Sequence, residues 1–393
     1  MRIVQEIIEQ GFVLDNEYHG GNNLPDIVEG IVNSYVAGKD EPCVFYNEYN
    51  QVRVVVFVDD IIVRGEKSEV ELLFRAIEHK YPMREWNILT PNNPLTHLGY
   101  RITEEHKGDE VYRYMDQELD VHKMLENHNI DITGKVQCPM PNSNSIMNNE
   151  TELDYERASE YRSLVGSLSW YGIRLRWDIA HSVSRCQSVL QHPTIGAMNN
   201  AVRIASYLGA TADFRLGGRI VRGNNIITCH SDSDHAGDRA LGSRSHSGAM
   251  ILMNGIAIHW RSKKQPKTAV SPAAAEIYAC SEAVRELRWI WWMARDMGIS
   301  ISNNMAVQVD NKQVISFKYG TVGKSKLRGM ISNRWNWVIE LKSEGINIEK
   351  VASKKNMADI LTKCLDRGEF IRQVNQIKEF ANEFGGQSWN IGG

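Results

Sequence analysis

Apolar positions along the 393-residue chain change their period more than once. From Val52 to Val63 the segment "VRVVVFVDDIIV" is a nearly unbroken run of β-branched and aromatic residues, interrupted only by Asp59 and Asp60. This composition predicts strand, tight turn, strand, with both carboxylates at the turn. Ahead of it, Ile3, Ile7 and Ile8 share one helical face and predict an N-terminal helix. A helical segment around 68–80 follows. Then come the Pro/Asn-rich loop "LTPNNPLTHLGYRIT", a second pair of short strands, and a helix from Asp116 to about Ile130. The stretch "CPMPNSNSIMNNETELD" reads as a linker. Helices dominate from Tyr155 to Ala210, broken at "QHPT", where Pro193 cannot continue a helix.

From residue 224 the grammar changes. "NIITCHSDSDHAGD" predicts a strand ending in an acidic turn, and "SGAMILMNGIAIHWRS" a hairpin around Asn254-Gly255, since both positions of such a turn need positive φ. "SPAAAEIYACSEAVRELRWIWWMARDMG" is a long helix with Ser271 as N-cap, Pro272 at the first helical position and Gly298 just past the end. "MAVQVD" is a short strand ending on Asp310 that feeds a helix near Asn311. A helix centred on Trp337, a strand "INIEKVAS" and a terminal helix "NMADILTKCL" complete the pattern. The order predicts an α/β domain with a mixed sheet.

Composition narrows the setting. With 42% apolar and 24% charged residues the chain is long enough for two or three domains with proper cores. Its net charge of −3 makes any nucleic-acid surface local. The six cysteines stand singly with no CxxC pair, which suits a reducing compartment and argues against a structural zinc site. No apolar run approaches a membrane span, and the N-terminus has neither signal nor transit character. The expectation is a soluble intracellular protein without a membrane partner.

Four acids then stand where an acid is structurally awkward. Asp232 ends the first strand of the second half, Glu276 lies early in the long helix, Asp310 ends its strand and Asp359 opens the last predicted helix. Sites in α/β sheets collect at the carboxyl ends of strands. Four converging carboxylates would bind magnesium through oxygen, and two such ions serve in-line phosphoryl displacement. The predicted chemistry is phosphodiester hydrolysis. Around Glu276, Ile277, Cys280, Val284, Leu287 and Trp291 form a core stripe, with Glu276 at its edge. Trp289, Trp291 and Trp292 read as packing. The basic groups Arg261, Lys263, Lys264, Lys267 and Lys318, Lys324, Lys326, Arg328 read either as solvated faces or as contacts to a nucleic-acid backbone. The Asp59–Asp60 pair carries its own question. Two carboxylates about 4 Å apart repel by roughly 4 kcal/mol at an effective dielectric near 20, so a cation belongs beside them.

The phrasing of these segments resembles a known family. "SDSDHAGD", "SKKQPKTAVSPAAAEIYACSEA", "VDNKQVI" and "MADILTK" resemble, in order, the ribonuclease H region of copia-type long-terminal-repeat retrotransposon Pol polyproteins. Upstream, "VVVFVDDIIV", "LGYRIT", "CPM", "YRSLVGSLSWYGIRLRWDIAHSVSRC" and "VRIASYLGAT" are similar to the second half of the same family's reverse transcriptase. The match runs from about residue 11 to 365. It implies a partial reverse-transcriptase palm over 1–115, a helical thumb/connection region over 116–222, a ribonuclease H-like mixed five-stranded sheet with flanking helices over 223–366, and a tail over 367–393.

By the resemblance, Asp232, Glu276, Asp310 and Asp359 fall on the ribonuclease H metal ligands, and Asp59 and Asp60 on the paired palm aspartates. The cofactor implied is Mg2+, two ions per ribonuclease H site, with Mn2+ as a substitute. The substrate implied is RNA in an RNA–DNA hybrid, and other polyprotein segments are implied partners. The implied setting is a cytoplasmic particle or the nucleus. The third palm carboxylate lies, in the family, upstream of this chain's first residue, so the expectation is that this chain alone does not polymerise DNA. Two other readings stay open. One is a decayed element that only binds nucleic acid, against which stand four intact acids. The other is a separate chain that supplies the fingers and the first palm carboxylate. Within the motifs, the chain carries no histidine after His259, and Trp177 stands where the family usually has proline.

Overall fold

The fold was obtained as a computed structural model that describes residues 14–15, 35–57, 60–80, 86–132, 134, 136–141, 151–221, 223, 225–235, 244–302, 304–317 and 328–384. The predicted N-terminal helix and Asp59 lie outside these residues.

The first sheet is antiparallel in chain order: β1 (Val36–Ala37), β2 (Val44–Tyr46), β3 (Arg53–Phe57) and β4 (Asp60–Arg64). Phe57 pairs with Asp60, which fixes the register of the β3–β4 hairpin. The unbroken apolar run is explained by burial on both faces. Val54, Val56, Ile61 and Val63 pack with Val70, Leu73, Phe74 and Ile77 of α1 (Lys67–Lys80). On the opposite face Val44, Val55 and Ile62 enter the main core.

A second antiparallel sheet contains β5 (Leu95–His97), β6 (Tyr100–Lys107) and β7 (Glu110–Asp116). It is larger than the expected pair of short strands. Between it and the C-terminal half lie α2 (Glu118–Asn127), α3 (Tyr155–Arg174), a single 3-10 turn Trp177–Ile179, α4 (Ala180–Gln187) and α5 (Ile195–Ala210). Asp154 caps α3 by accepting from the Arg157 amide, and Thr194, just after Pro193, caps α5 by accepting from Ala197. The chain then returns to the second sheet as β8 (Leu216–Arg219), which pairs with β7. Its sequence, LGGR, carries no strand signature, because a Cβ on Gly217 would fall 2.0 Å from the Arg113 carbonyl oxygen.

The third sheet is the mixed five-stranded one expected. It consists of β9 (Ile227–Asp234), β10 (His246–Met253), β11 (Ile256–Lys264), β12 (Met305–Val309) and β13 (Ile346–Lys350), in the spatial order β11-β10-β9-β12-β13. The β9–β10 and β10–β11 pairs are antiparallel, and the β9–β12 and β12–β13 pairs are parallel. Asn254 and Gly255 turn the hairpin with φ of 49° and 79°. Helix α6 (Pro272–Asp296) starts at Ser271, whose hydroxyl accepts from the Ala274 amide, and packs on β9 and β10. The connections after β12 are α7 (Lys312–Phe317) and α8 (Arg328–Glu340).

One expectation is corrected near the C-terminus. "NMADILTKCL" is not a helix; it contains only the single turn Asp359–Leu361. The last helix is α9 (Arg367–Glu383), within the stretch expected as a tail. Asp366 accepts from the Glu369 amide and starts it, while Phe370, Val374 and Ile377 anchor it in the main core. The helix pattern failed over 356–365 because Asn356 and Thr362 spend their side chains on the sheet and turn instead.

The helical region and the third sheet share one continuous core. Trp177 is fully buried in it, edge-on to Phe214 at 6.3 Å. Beside it Arg176 grips both oxygens of Asp178 at 3.0 and 2.9 Å, and the Tyr207 hydroxyl donates to Asp178 at 2.7 Å. The Trp260 indole donates to the Gly172 carbonyl at 2.7 Å, tying β11 to α3. The first sheet docks on the C-terminal end of α6, where the Arg53 guanidinium donates to the carbonyls of Met297 and Gly298.

Candidate metal centre

The geometry of the third sheet explains why acids meet at one rim. Strand β9 pairs with β12 only over Thr228–His230, so Asp232 stands beyond the last residue shared with its parallel neighbour. Asp310 stands just past the end of β12. The fifth residue of α6 is Glu276, carried over the same rim by the helix start. Carboxylate oxygens of Asp232, Glu276 and Asp310 all lie within 4.8 Å of one another. Asp232 and Glu276 are buried and Asp310 is half-buried.

The fourth acid stands apart, joined to this group by a cation. Lys363 Nζ lies 3.3 Å from Asp232 and 2.9 Å from Asp359. The turn bearing Asp359 is tied to β9 by Asn356, whose amide donates to the Ser231 carbonyl at 3.0 Å and whose Oδ1 accepts from the Ala358 amide. The Thr362 hydroxyl donates to Asp232 Oδ2. Gly248, the β10 partner of Asp232, leaves room for this turn; a Cβ there would lie 2.7 Å from Thr362 Cγ2 and 2.9 Å from Leu361 Cβ. Lys363 and Thr362 were not singled out from the sequence. The spacing of Lys363 four residues after Asp359 was the only available signal.

Electrostatics follow the crowding. Burial first, then Asp232 and Asp310, push the Glu276 carboxyl up to about 9, against a donation from the Ser233 backbone. Burial and Asp232 push Asp359 up to about 6, with Lys363 opposing. Burial works against the Lys363 ammonium, yet Asp232 and Asp359 raise its pKa. One oxygen of Glu276, Oε2, is buried with no hydrogen-bond partner among the described residues. An all-oxygen donor set with an orphaned buried carboxylate oxygen fits a hard divalent cation.

The remaining predicted residues distribute as follows. Asp60 opens β4 half-buried and is not part of the carboxylate group; Asp59 lies outside the described residues. Arg261 is engaged by Glu282 and Glu286. Lys263 and Lys264 line a groove of about 490 Å³ with Ser247, Gln265 and Tyr278, and α4 forms its other wall through Ser184, Gln187 and Ser188. Lys267 is exposed. Lys318, Lys324 and Lys326 lie outside the described residues, as does the side chain of Arg328. Trp289 and Trp291 pack against the main core, as expected, and Arg288 covers Trp292 at 4.3 Å.

Comparisons with known proteins bear out the resemblance read from the motifs. The chain is 26% identical over 349 residues to the Retrovirus-related Pol polyprotein from transposon TNT 1-94 of Nicotiana tabacum, covering 86% of this chain and 25% of that protein. It is 25% identical over 334 residues to the Retrovirus-related Pol polyprotein from transposon RE2 of Arabidopsis thaliana, covering 83% and 22%. Against the Transposon Ty1-DR1 Gag-Pol polyprotein of Saccharomyces cerevisiae the figures are 22% over 340 residues, covering 82% and 19%. The chain thus spans a quarter or less of the length of these relatives. No family model matches it. Among solved structures, a foamy viral protease-reverse transcriptase in complex with RNA/DNA hybrid aligns over 90% of this chain and 45% of its own, with TM-score 0.45 and 12% identity. LC11-RNase H1 in complex with RNA/DNA hybrid aligns over 35% and 93%, with TM-score 0.28 and 18% identity.

Proposed function

We propose that this chain is a reverse transcriptase/ribonuclease H segment of a retroelement Pol polyprotein, and that it hydrolyses the RNA strand of RNA–DNA hybrids at the acidic rim. One observation carries the chemistry. Three carboxylates from β9, α6 and the end of β12 meet within 4.8 Å, and one of them keeps a buried oxygen without a partner among the described residues. Such a set is costly without a cation. In this reading Asp232, Glu276 and Asp310 hold divalent metal, Mg2+ or Mn2+, and Asp359 completes a second ion's shell. When bound, the metal pair supplies Lewis acidity to a phosphodiester and lowers the pKa of water.

The chain's own residues do the rest. Glu276, at the start of α6, orients the site from above the sheet. Thr362 fixes the rotamer of Asp232 through its hydroxyl, and Lys363 balances Asp232 and Asp359 when the shell is incomplete. Lys263 and Lys264, which share a groove with Gly248, the partner of Asp232, and the exposed Lys267 just beyond β11 hold the hybrid backbone without reading its sequence. Residues 1–115, 116–222 and 223–366 correspond to palm, thumb/connection and ribonuclease H parts, with Asp59 and Asp60 as the palm pair.

The test is cleavage of a labelled RNA–DNA hybrid by the purified chain with Mg2+ or Mn2+, with Asp310→Asn alongside. Loss of cleavage in the variant and on chelation is expected. Equal RNA loss from both proteins would remove the assignment and leave a chain that only binds nucleic acid.

A further inference from the structure

A chain of hydrogen bonds runs from helix α4 and the β10–β11 hairpin to the backbone carbonyl of Leu361, two residues past Asp359. His181, on α4, hydrogen-bonds this carbonyl, and the Ser262 hydroxyl donates to it at 2.7 Å. The second hydrogen bond of Ser262 joins its Oγ to His246 Nε2 at 2.8 Å. Since the only hydroxyl proton of Ser262 goes to Leu361, His246 must be the donor there, through Nε2–H. His181 Nδ1 is buried with no partner among the described residues, which leaves Nε2–H as the His181 donor. Both lone pairs of the Leu361 carbonyl are then used by two donors from two different parts of the fold. The rings of His181 and His246 meet edge to face, centroids 4.6 Å apart. Burial lowers the pKa of both, with His246 and Arg185 adding to the effect at His181 and Arg185 and Lys264 at His246.

This clamp sits on the turn that carries Asp359 and continues directly into Thr362 and Lys363. Those two residues touch Asp232, and their amides both return to the Asp359 carbonyl at 3.0 and 3.1 Å. We propose that His181 and Ser262 are positioning residues for the acidic rim, so that the helical region preceding the five-stranded sheet is itself part of the metal site. The inference rests on the reading above. It adds that a residue of α4, outside the sheet domain, sets the distance between Asp359 and Asp232 without touching substrate or metal. The physical cause is that the turn has no helix to stiffen it; it is one 3-10 turn long, so its carbonyl is held from outside or not at all.

The experiment compares the full chain with His181→Phe, which keeps a ring but removes the donor, and His181→Gln, which returns an N–H near the same place. Ser262→Ala removes the second donor independently. Hydrogen exchange of the Thr362 and Lys363 amides is read without metal, and Mn2+ affinity and hybrid cleavage are read alongside. Loss of one buried donor is expected to speed exchange of these amides about tenfold in His181→Phe and in Ser262→Ala. Mn2+ binding should weaken by about three- to tenfold, and kcat should fall while KM for hybrid holds. His181→Gln should recover most of each loss.

Wild-type exchange at both amides in His181→Phe and Ser262→Ala would overturn the positioning role. So would a His181→Gln as impaired as His181→Phe, which would mean that only packing was disturbed. If the wild-type chain binds no Mn2+, the metal reading falls, and the exchange data still decide whether His181 holds the turn.

Discussion

Replacing Glu276 by glutamine tests the electrostatics of the rim without any substrate. In the metal-free protein the Glu276 carboxyl is pushed up to about 9 by burial, Asp232 and Asp310, whereas in the unfolded chain it titrates near its ordinary value of 4.5. Below the unfolded value both states hold the proton and no stability is lost. As pH rises from there the unfolded chain releases its proton and the folded chain does not, so stability declines by about 1.4 kcal/mol per pH unit until the folded value is reached. Between pH 5.5 and 8.5 the wild type should therefore give up on the order of 4 kcal/mol through this group alone.

Glutamine resembles the protonated acid in shape and never ionises, so Glu276→Gln should lack that decline. It should equal the wild type near pH 5 and exceed it at pH 8.5 in the presence of chelator. Asp359, raised to about 6, and His230 and His246, lowered to about 4 and about 3, titrate in both proteins and cancel in the difference. Urea unfolding at several pH values gives the comparison directly. Parallel stability–pH curves for the two proteins would refute the argument, since they would mean that Glu276 is not held protonated by its neighbours.

Three further outcomes are expected. Mg2+ or Mn2+ at a hundred times its dissociation constant should raise wild-type stability by about 2.7 kcal/mol in thermal unfolding, and should do nothing for Asp310→Asn. Arg176→Leu removes both guanidinium bonds to the buried Asp178 carboxylate, leaving it the Tyr207 hydroxyl as donor, and should cost about 3–5 kcal/mol in urea unfolding. Gly248→Ala drives a Cβ toward Thr362 and Leu361 and should lower hybrid cleavage on the order of a hundredfold by displacing the Asp359 turn, read as kcat at saturating hybrid.

Much of this was legible in the sequence because local physics and fold agreed. The Asn254-Gly255 turn, the Ser271-Pro272 helix start and the double-sided burial of Val54–Val56 each have one structural solution, and the motifs placed Asp232 and Asp310 near strand ends and Glu276 at a helix start. What was not legible depends on partners distant in sequence. LGGR at 216–219 becomes a strand only because β7 lies waiting a hundred residues upstream. The segment around Asp359 has helix-like composition, yet Asn356 and Thr362 bond to β9 and its acid, and the helix starts instead at Asp366. The Asp366-x-x-Glu369 spacing is a helix-start pattern that was not singled out from the sequence.

Four acidic side chains and one lysine cannot all be ionised in a buried space at ordinary dielectric cost, since each uncompensated pair costs several kcal/mol. The protein meets this in two ways that differ in place. On the α6 side, burial first and then Asp232 and Asp310 raise the Glu276 carboxyl enough to hold a proton, and its Oε2 has no hydrogen-bond partner among the described residues. On the turn side, Lys363 lies between Asp232 and Asp359. Asp232 is common to both halves, and the Thr362 hydroxyl fixes its orientation from the turn. A cation arriving at Asp232, Glu276 and Asp310 therefore replaces a proton on one side and competes with an ammonium on the other. Because Lys363 belongs to the turn clamped by His181 and Ser262, how readily it yields is set by the helical region as well as by the sheet.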